Sequence, residues 1–137
     1  MKKILYSPGE PSGIGPDLII QMCVSNLWSK IKTPIVCLSD PKLIEERANS
    51  LRKKIKLNVI DSIDESKKNV GSTLQVIKIS KCPNTSFGKL YKSNASYVLE
   101  NLDYGVLEAL SNKNVALVTG PISKENIISI KKNFSGH

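Results

Sequence analysis

Apolar and polar positions alternate along the chain between short apolar runs and longer amphipathic ones. Ile4-Leu5-Tyr6 follows Lys2-Lys3 and is cut off at once by Ser7-Pro8-Gly9, which predicts a strand over 3–6. Leu18, Met22, Cys23, Val24 and Leu27 recur at helical spacing. They predict a helix from Pro16, with Gly15 before it and Asp17 in its first turn, to about Trp28. Thr33-Pro34 introduces a second strand, Ile35 to Leu38. Asp40-Pro41 then marks a helix start: the carboxylate can accept from a free N–H, and proline's fixed φ suits the first helical position. Leu43, Ile44, Arg47, Ala48 and Leu51 carry that helix. Two β/α units in succession predict an α/β sheet with parallel strands.

The second half continues less regularly. Lys56 to Ile60 predicts a third strand, and the polar stretch 61–71 a surface connection. Leu74 to Ile79 predicts a strand in a hairpin or meander, and Ser80 to Lys89, with Pro83, Asn84 and Gly88, a loop. Ala95, Val98, Leu99, Leu102, Val106, Leu107 and Leu110 predict the longest helix, Ser93 to Leu110. Asn114 to Thr119 has the composition of a buried strand. Gly120-Pro121 ends it, Ser123 is placed to cap a helix over 124–130, and 133–137 is a loop. There is no internal repeat and no low-complexity tract.

With 137 residues, 40% hydrophobic and 23% charged, the chain has the composition of one globular domain. No apolar run approaches the roughly 20 residues of a membrane span, and the run after Met1-Lys2-Lys3 is too short for a signal-peptide core. A cytoplasmic protein with no membrane partner is expected. The formal charge is +8, but Arg47 and Arg52 are the only arginines and aromatics are 5%, so no specific nucleic-acid partner is expected from lysines that look scattered. Cys23, Cys37 and Cys82 are far apart and odd in number, and His137 is the single histidine, so no metal site of three or four His/Cys ligands is expected within the chain.

Three segments could carry chemistry. The first, Ser7 to Asp17, packs three glycines and three prolines into eleven residues between a strand and a helix. It is neither a P-loop nor the dinucleotide fingerprint, and Glu10 and Asp17 make it acidic. Spacing leaves it open between a rigid turn, with Asp17 serving its own helix end, and one wall of a ligand site. The second, Thr119-Gly120-Pro121-Ile122-Ser123-Lys124, could offer a hydroxyl from Thr119 and a cation from Lys124, or be a plain strand-to-helix turn. The third, Phe134-Ser135-Gly136-His137, ends on the chain's one imidazole, a candidate for substrate binding or acid/base work. In a parallel sheet such segments share the edge at which ligands bind.

Together these segments resemble one family. Pro8 to Asp17 is similar to the N-terminal motif of the 4-hydroxythreonine-4-phosphate dehydrogenases, and Leu117 to Lys124 and Phe134 to His137 resemble the next two motifs in order and spacing. Ser39-Asp40-Pro41, Arg47-Ala48 and Asn94 to Leu102 are weaker matches. The resemblance implies a three-layer α/β/α fold with a largely parallel sheet, like isocitrate and isopropylmalate dehydrogenases, with a site between two domains. It implies NAD- or NADP-dependent oxidation and decarboxylation of 4-phosphooxy-L-threonine to 3-amino-2-oxopropyl phosphate, in pyridoxal 5′-phosphate (vitamin B6) biosynthesis. A phosphorylated hydroxy-amino-acid substrate, a homodimer and a divalent metal (zinc, magnesium or cobalt) are implied too. His137 matches a substrate-binding histidine, and Glu10, Gly13, Thr119 and Lys124 are candidate cleft-lining residues.

Family members are roughly twice this long. Residues 1–137 are therefore expected to be the N-terminal part of a two-domain dehydrogenase, an incomplete fold whose second half, with the metal ligands and most of the cofactor site, is absent, and to be inactive alone. Two alternatives stand beside this: a dehydrogenase of a related phosphorylated hydroxy acid of the 4-phospho-threonate or erythronate type, and a non-catalytic domain that binds an anion or a protein.

Overall fold

A computed structural model describes residues 2–131. Five strands run in parallel: β1 (Lys3–Ser7), β2 (Ile35–Leu38), β3 (Lys56–Val59), β4 (Thr73–Ile77) and β5 (Val115–Thr119), in the order β3-β4-β2-β1-β5. Helices α1 (Gly15–Val24) and α2 (Pro41–Ser50) lie on one face. Helix α3 (Ala95–Ser111) lies on the other, and α4 (Lys124–Ile128) follows β5. The expected three-layer α/β/α arrangement with a parallel sheet is what forms.

Side-chain alternation in the strands divides the core. Tyr6, Ile35, Cys37, Leu74 and Val76 point toward α1 and α2, where they meet Ile19, Ile20, Cys23, Ile44 and Ala48. Leu5, Val36, Leu38, Ile77 and Val115 point the other way, with Ile60, Ile63, Tyr104 and Leu117. Trp28 is 1% exposed and donates its indole N–H to the carbonyl of Thr73 at 3.1 Å, so the largest side chain is buried without an orphaned polar atom.

Several sequence expectations are corrected. The first helix begins at Gly15 and stops at Val24, and a short 3-10 turn over Trp28–Lys30 follows it. Its buried face is Ile19, Ile20 and Cys23, whereas Leu18 and Met22 are exposed. The segment after β3 is not a hairpin: residues 60–72 cross back so that β4 lies parallel to β3. That crossover is more than a surface connection. Asn69 is buried, accepts from the Ile35 N–H and donates to the carbonyls of Ile31 and Thr33, so it ties the crossover to the start of β2. On α3 the predicted positions Ala95, Val98 and Leu102 are buried, but Val106, Leu107 and Leu110 are exposed.

The largest departure is β5. Its composition suits the interior of a sheet, yet among the described residues it pairs only with β1, and Ala116 and Val118 are exposed. Natural edge strands are commonly shielded by lysine, proline or a bulge. The opposite edge, β3, carries Lys56 and Asn58 exposed; β5 carries no charge and no proline.

All three cysteines are free and buried. Burial pushes the Cys23 and Cys82 thiols up to about 11 and the Tyr6 and Tyr97 phenols up to about 12, and it raises Cys37 further. The unfolded chain gives up these protons from the ordinary values of about 9 and 10, while the folded chain keeps them. Their contribution to stability is therefore complete below about pH 9 and is lost as pH climbs toward 12. Thermal melts across this range should show a transition temperature that is level to about pH 9 and then falls steadily.

Candidate functional site

The chain leaves β1 leftward to β2, β4 and β3 and returns to β5 on the right, so the strand order reverses between β1 and β5. At such a switch point the loops leaving the carboxyl ends of adjacent strands separate to opposite faces and open a crevice, where α/β folds place ligands. The two loops that leave this point are the first and second candidate segments, since Ser7 pairs with Thr119 at the strand ends.

The two loops are fitted together backbone to backbone. The Gly120 N–H donates to the Ser7 carbonyl at 2.7 Å, and the Glu10 N–H donates to the Pro121 carbonyl at 2.9 Å. Gly9 sits at φ +85°, and a Cβ there would lie 2.2 Å from the Pro121 carbonyl oxygen. The Pro8 carbonyl oxygen in turn fills the space where side chains would stand on two other glycines: it would lie 1.7 Å from a Cβ on Gly15 and 2.3 Å from one on Gly120. The Tyr6 hydroxyl donates to the Gly15 carbonyl at 2.8 Å, tying the strand to the first turn of α1. The glycine-rich composition is thus a requirement for close approach between two loops.

Glu10 is buried, and its carboxylate accepts from both the N–H and the hydroxyl of Ser12, at 2.8 and 2.7 Å. Asp17 does not cap its own helix. It pairs with Arg47 of α2 at 2.9 Å. Arg47 is 3% exposed and also donates to the carbonyls of Gly13 and Pro11, so one guanidinium holds three points of the turn. Phe87 covers it at 4.6 Å from the ring centroid, and the Gly88 N–H donates to the Ser12 carbonyl, so the loop after β4 straps the turn from outside.

The acidity read from the sequence is therefore largely internal: Asp17 is neutralised by Arg47, thirty positions away in sequence. That partner lay in a weak motif match, Arg47-Ala48, and the short spacings used to read the turn could not reach it.

A second polar cluster lies at the end of β2. Asp40 caps α2 through the Lys42 N–H and accepts from the Cys82 N–H, and its own N–H donates to the Tyr97 hydroxyl. Asn94 accepts from the Asn84 N–H and donates to the Asn84 carbonyl, fixing the start of the strapping loop.

Of the candidate residues, Glu10, Gly13 and Thr119 are brought to the switch point. Thr119 lines an apolar groove of about 440 Å³ with Tyr6, Leu18, Met22, Val118 and Pro121, between α1 and the uncovered face of β5. Lys124 is exposed at the first turn of α4, whose Ser123 accepts from the Asn126 N–H as expected of a cap. His137 and the third segment lie outside the described residues. Among the described residues no three His, Cys, Asp or Glu side chains are grouped to hold a metal ion.

The family described as pyridoxal phosphate biosynthetic protein PdxA matches residues 30–137. A 4-hydroxythreonine-4-phosphate dehydrogenase of Methylococcus capsulatus is 37% identical over 135 residues, covering 98% of this chain and 40% of its own length. One from Saccharophagus degradans is 36% identical over 137 residues, covering 98% of this chain and 38% of its own length. Crystal structures of 4-hydroxythreonine-4-phosphate dehydrogenases from Burkholderia phymatum and Klebsiella pneumoniae superpose over the whole chain with TM-scores of 0.86 and 0.83, at 19% and 22% identity. The chain covers 41% and 42% of those two structures. These likenesses show the fold, and the chain spans about 40% of the length of the curated relatives it matches.

Two substitution series follow from the geometry. Gly15→Ala and Gly120→Ala should each lower stability by several kcal/mol, because the obstructing atom is backbone, whereas Gly13→Ala, whose Cβ would stand 3.4 Å from the Glu10 carbonyl oxygen, should cost about 1 kcal/mol or less. Equal losses in denaturant titrations would contradict the packing described. Arg47→Met leaves Asp17 without its partner and two carbonyls without their donor, and should cost about 3 kcal/mol in the same titration. Arg47→Lys should recover only a small part of that loss.

Proposed function

The chain belongs to the PdxA family of pyridoxal phosphate biosynthetic proteins, and we propose that it forms the N-terminal wall of the active site of a 4-hydroxythreonine-4-phosphate dehydrogenase. On this reading the complete enzyme oxidises the secondary alcohol of 4-phosphooxy-L-threonine with NAD or NADP and releases carbon dioxide to leave 3-amino-2-oxopropyl phosphate. The observation that carries the reading is the joining of the Pro8–Asp17 turn to the Thr119–Lys124 turn at the β1/β5 switch point.

In this role the rigid turn supplies shape. Glu10 is held inward by Ser12, and Thr119 at the end of β5 and the exposed Lys124 at the start of α4 are the groups proposed to meet an anionic substrate. A lysine is suited to a phosphorylated ligand as a compact, rotatable charge.

Residues 2–131 do not fit the two cofactors. No cluster of metal ligands is present among them, and the turn after β1 lacks the glycine pattern that seats a dinucleotide pyrophosphate. The groove beside Thr119 is lined almost wholly by apolar groups, which suits protein packing better than phosphates. Metal, cofactor and a second wall are therefore proposed to come from the remaining length that the relatives possess.

Two measurements test this. The 137-residue chain mixed with NAD, 4-phosphooxy-L-threonine and a divalent metal should give no rise in NADH absorbance; clear turnover would refute the incomplete-site reading. A chimaera in which this chain replaces the matching segment of the Methylococcus capsulatus relative should oxidise the substrate, and Thr119→Ala and Lys124→Ala within it should raise KM more than they lower kcat. A chimaera that melts cooperatively yet neither binds nor oxidises the substrate would refute the assignment of the wall.

A further inference from the structure

The lysines that look scattered in sequence are gathered by the fold. In a parallel sheet every strand begins at the same edge, and here the entering segments are 2–3, 25–34, 51–56, 66–72 and 111–114. They carry eleven cations, Lys2, Lys3, Lys30, Lys32, Arg52, Lys53, Lys54, Lys56, Lys67, Lys68 and Lys113, and no Asp or Glu. Nine of the eleven are exposed, with Lys3 and Lys53 half-buried. None is in either of the two ion pairs formed among the described residues, which are Lys42–Glu46 and Arg47–Asp17.

The opposite edge, with the switch-point turns, is mixed: Lys78, Lys81, Lys89, Lys92 and Lys124 are interspersed with Glu10, Asp40, Asp61 and Glu125. The molecule is therefore polarised, and most of its excess charge lies on the edge away from the candidate active site.

The strand starts are held in line by backbone bonds. The Lys3 N–H donates to the Asn114 carbonyl, the Ile4 N–H to the Pro34 carbonyl and the Lys56 N–H to the Ser72 carbonyl. Five strands at about 4.8 Å spacing spread the cations over roughly 19 Å, the span of several phosphates of an extended strand. Four carboxylates intrude: Glu45 shares a hollow of about 300 Å³ with Lys53, Lys54, Asn49 and Leu57, Glu108 lies in the last turn of α3, and Asp64 and Glu65, in the turn whose Ile63 carbonyl accepts from the Lys3 ammonium, share a hollow with Lys67.

We propose that this amino-terminal edge is a sequence-independent binding surface for the phosphodiester backbone of nucleic acid. The residue types set the mode. Lysine ammonium groups neutralise phosphates as point charges, while the one arginine, Arg52, and the buried Trp28 leave no exposed stacking platform for bases. Binding is thus electrostatic, tolerant of sequence and steeply dependent on salt. Because the surface lies opposite the switch point, it operates without occupying the proposed substrate site.

The test uses fluorescence anisotropy of labelled oligothymidylate with the full chain at rising salt. One variant carries Lys30→Gln, Lys32→Gln, Lys53→Gln and Lys54→Gln; a charge-matched control carries Lys78→Gln, Lys81→Gln, Lys89→Gln and Lys92→Gln. All eight positions are solvent-facing or half-buried lysines, so both variants should melt like the parent. The edge variant should bind at least about tenfold more weakly at low salt, with the salt slope reduced by up to roughly 3, while the control stays within about twofold. An oligoadenylate should bind within a few-fold of the thymidylate. Equal weakening by both variants would show an effect of net charge alone and overturn the assignment to this edge. Absence of binding by the parent chain would overturn the proposal, as would binding to phosphatidylglycerol vesicles without binding to the oligonucleotide. These results are independent of whether the chimaera oxidises 4-phosphooxy-L-threonine.

Discussion

The position of one backbone oxygen organises the candidate site. The Pro8 carbonyl lies where a side chain on either Gly15 or Gly120 would have to stand, so the turn after β1 and the turn after β5 can meet only because both positions are glycine. The meeting is then secured by bonds in both directions, from Gly120 to Ser7 and from Glu10 to Pro121. Everything else at this edge is arranged around that contact. The first turn of α1 is set by it, the Tyr6 hydroxyl reports its position to the strand, and Thr119 is placed beside the groove that opens at its flank.

Electrostatics completes what sterics begins. A turn with two carboxylates at the end of a helix-entering loop would be poorly suited to an anionic ligand if both charges faced outward. Glu10 is instead folded onto Ser12, and Asp17 is matched by a buried guanidinium that also satisfies two carbonyls of the same turn. Truncating a buried partner of this kind strands the other charge, which is why the pair fixes one conformation more than it adds net stability. The Phe87 ring over Arg47 extends the same cluster to the loop after β4.

The layers, the strand order's parallel sense and most helices were legible in the sequence because they depend on local signals: Asp40-Pro41, Ser123, and the apolar periods of 18–27 and 93–110. What was not legible depends on partners distant in sequence. Leu18, Met22, Val106, Leu107 and Leu110 read as core residues because periodicity reports apolarity, not whether anything lies opposite; the described residues place nothing there. The parallel crossover into β4 is not legible because Asn69, a loop residue by composition, anchors it to the start of β2 more than thirty residues away. In the site, the glycines and Thr119 stand out from their spacing, while Arg47 shows in the sequence only as a helix position and a weak motif match, since its three bonds span thirty residues or more. The basic edge was invisible for the same reason: only the sheet brings 2–3, 25–34, 51–56, 66–72 and 111–114 together.

Among the described residues β5 has no partner on its outer side and lies beside an apolar groove, and the chain spans about 40% of its relatives' length. The central claim, that the two switch-point turns form one locked unit, is tested most directly by native-state hydrogen exchange of the 137-residue chain. The Glu10, Gly13 and Gly120 amides should exchange as slowly as those of β1, with an opening free energy close to that of global unfolding. Exchange of these three amides at the rate of an ordinary exposed loop, while β1 stays protected, would contradict it.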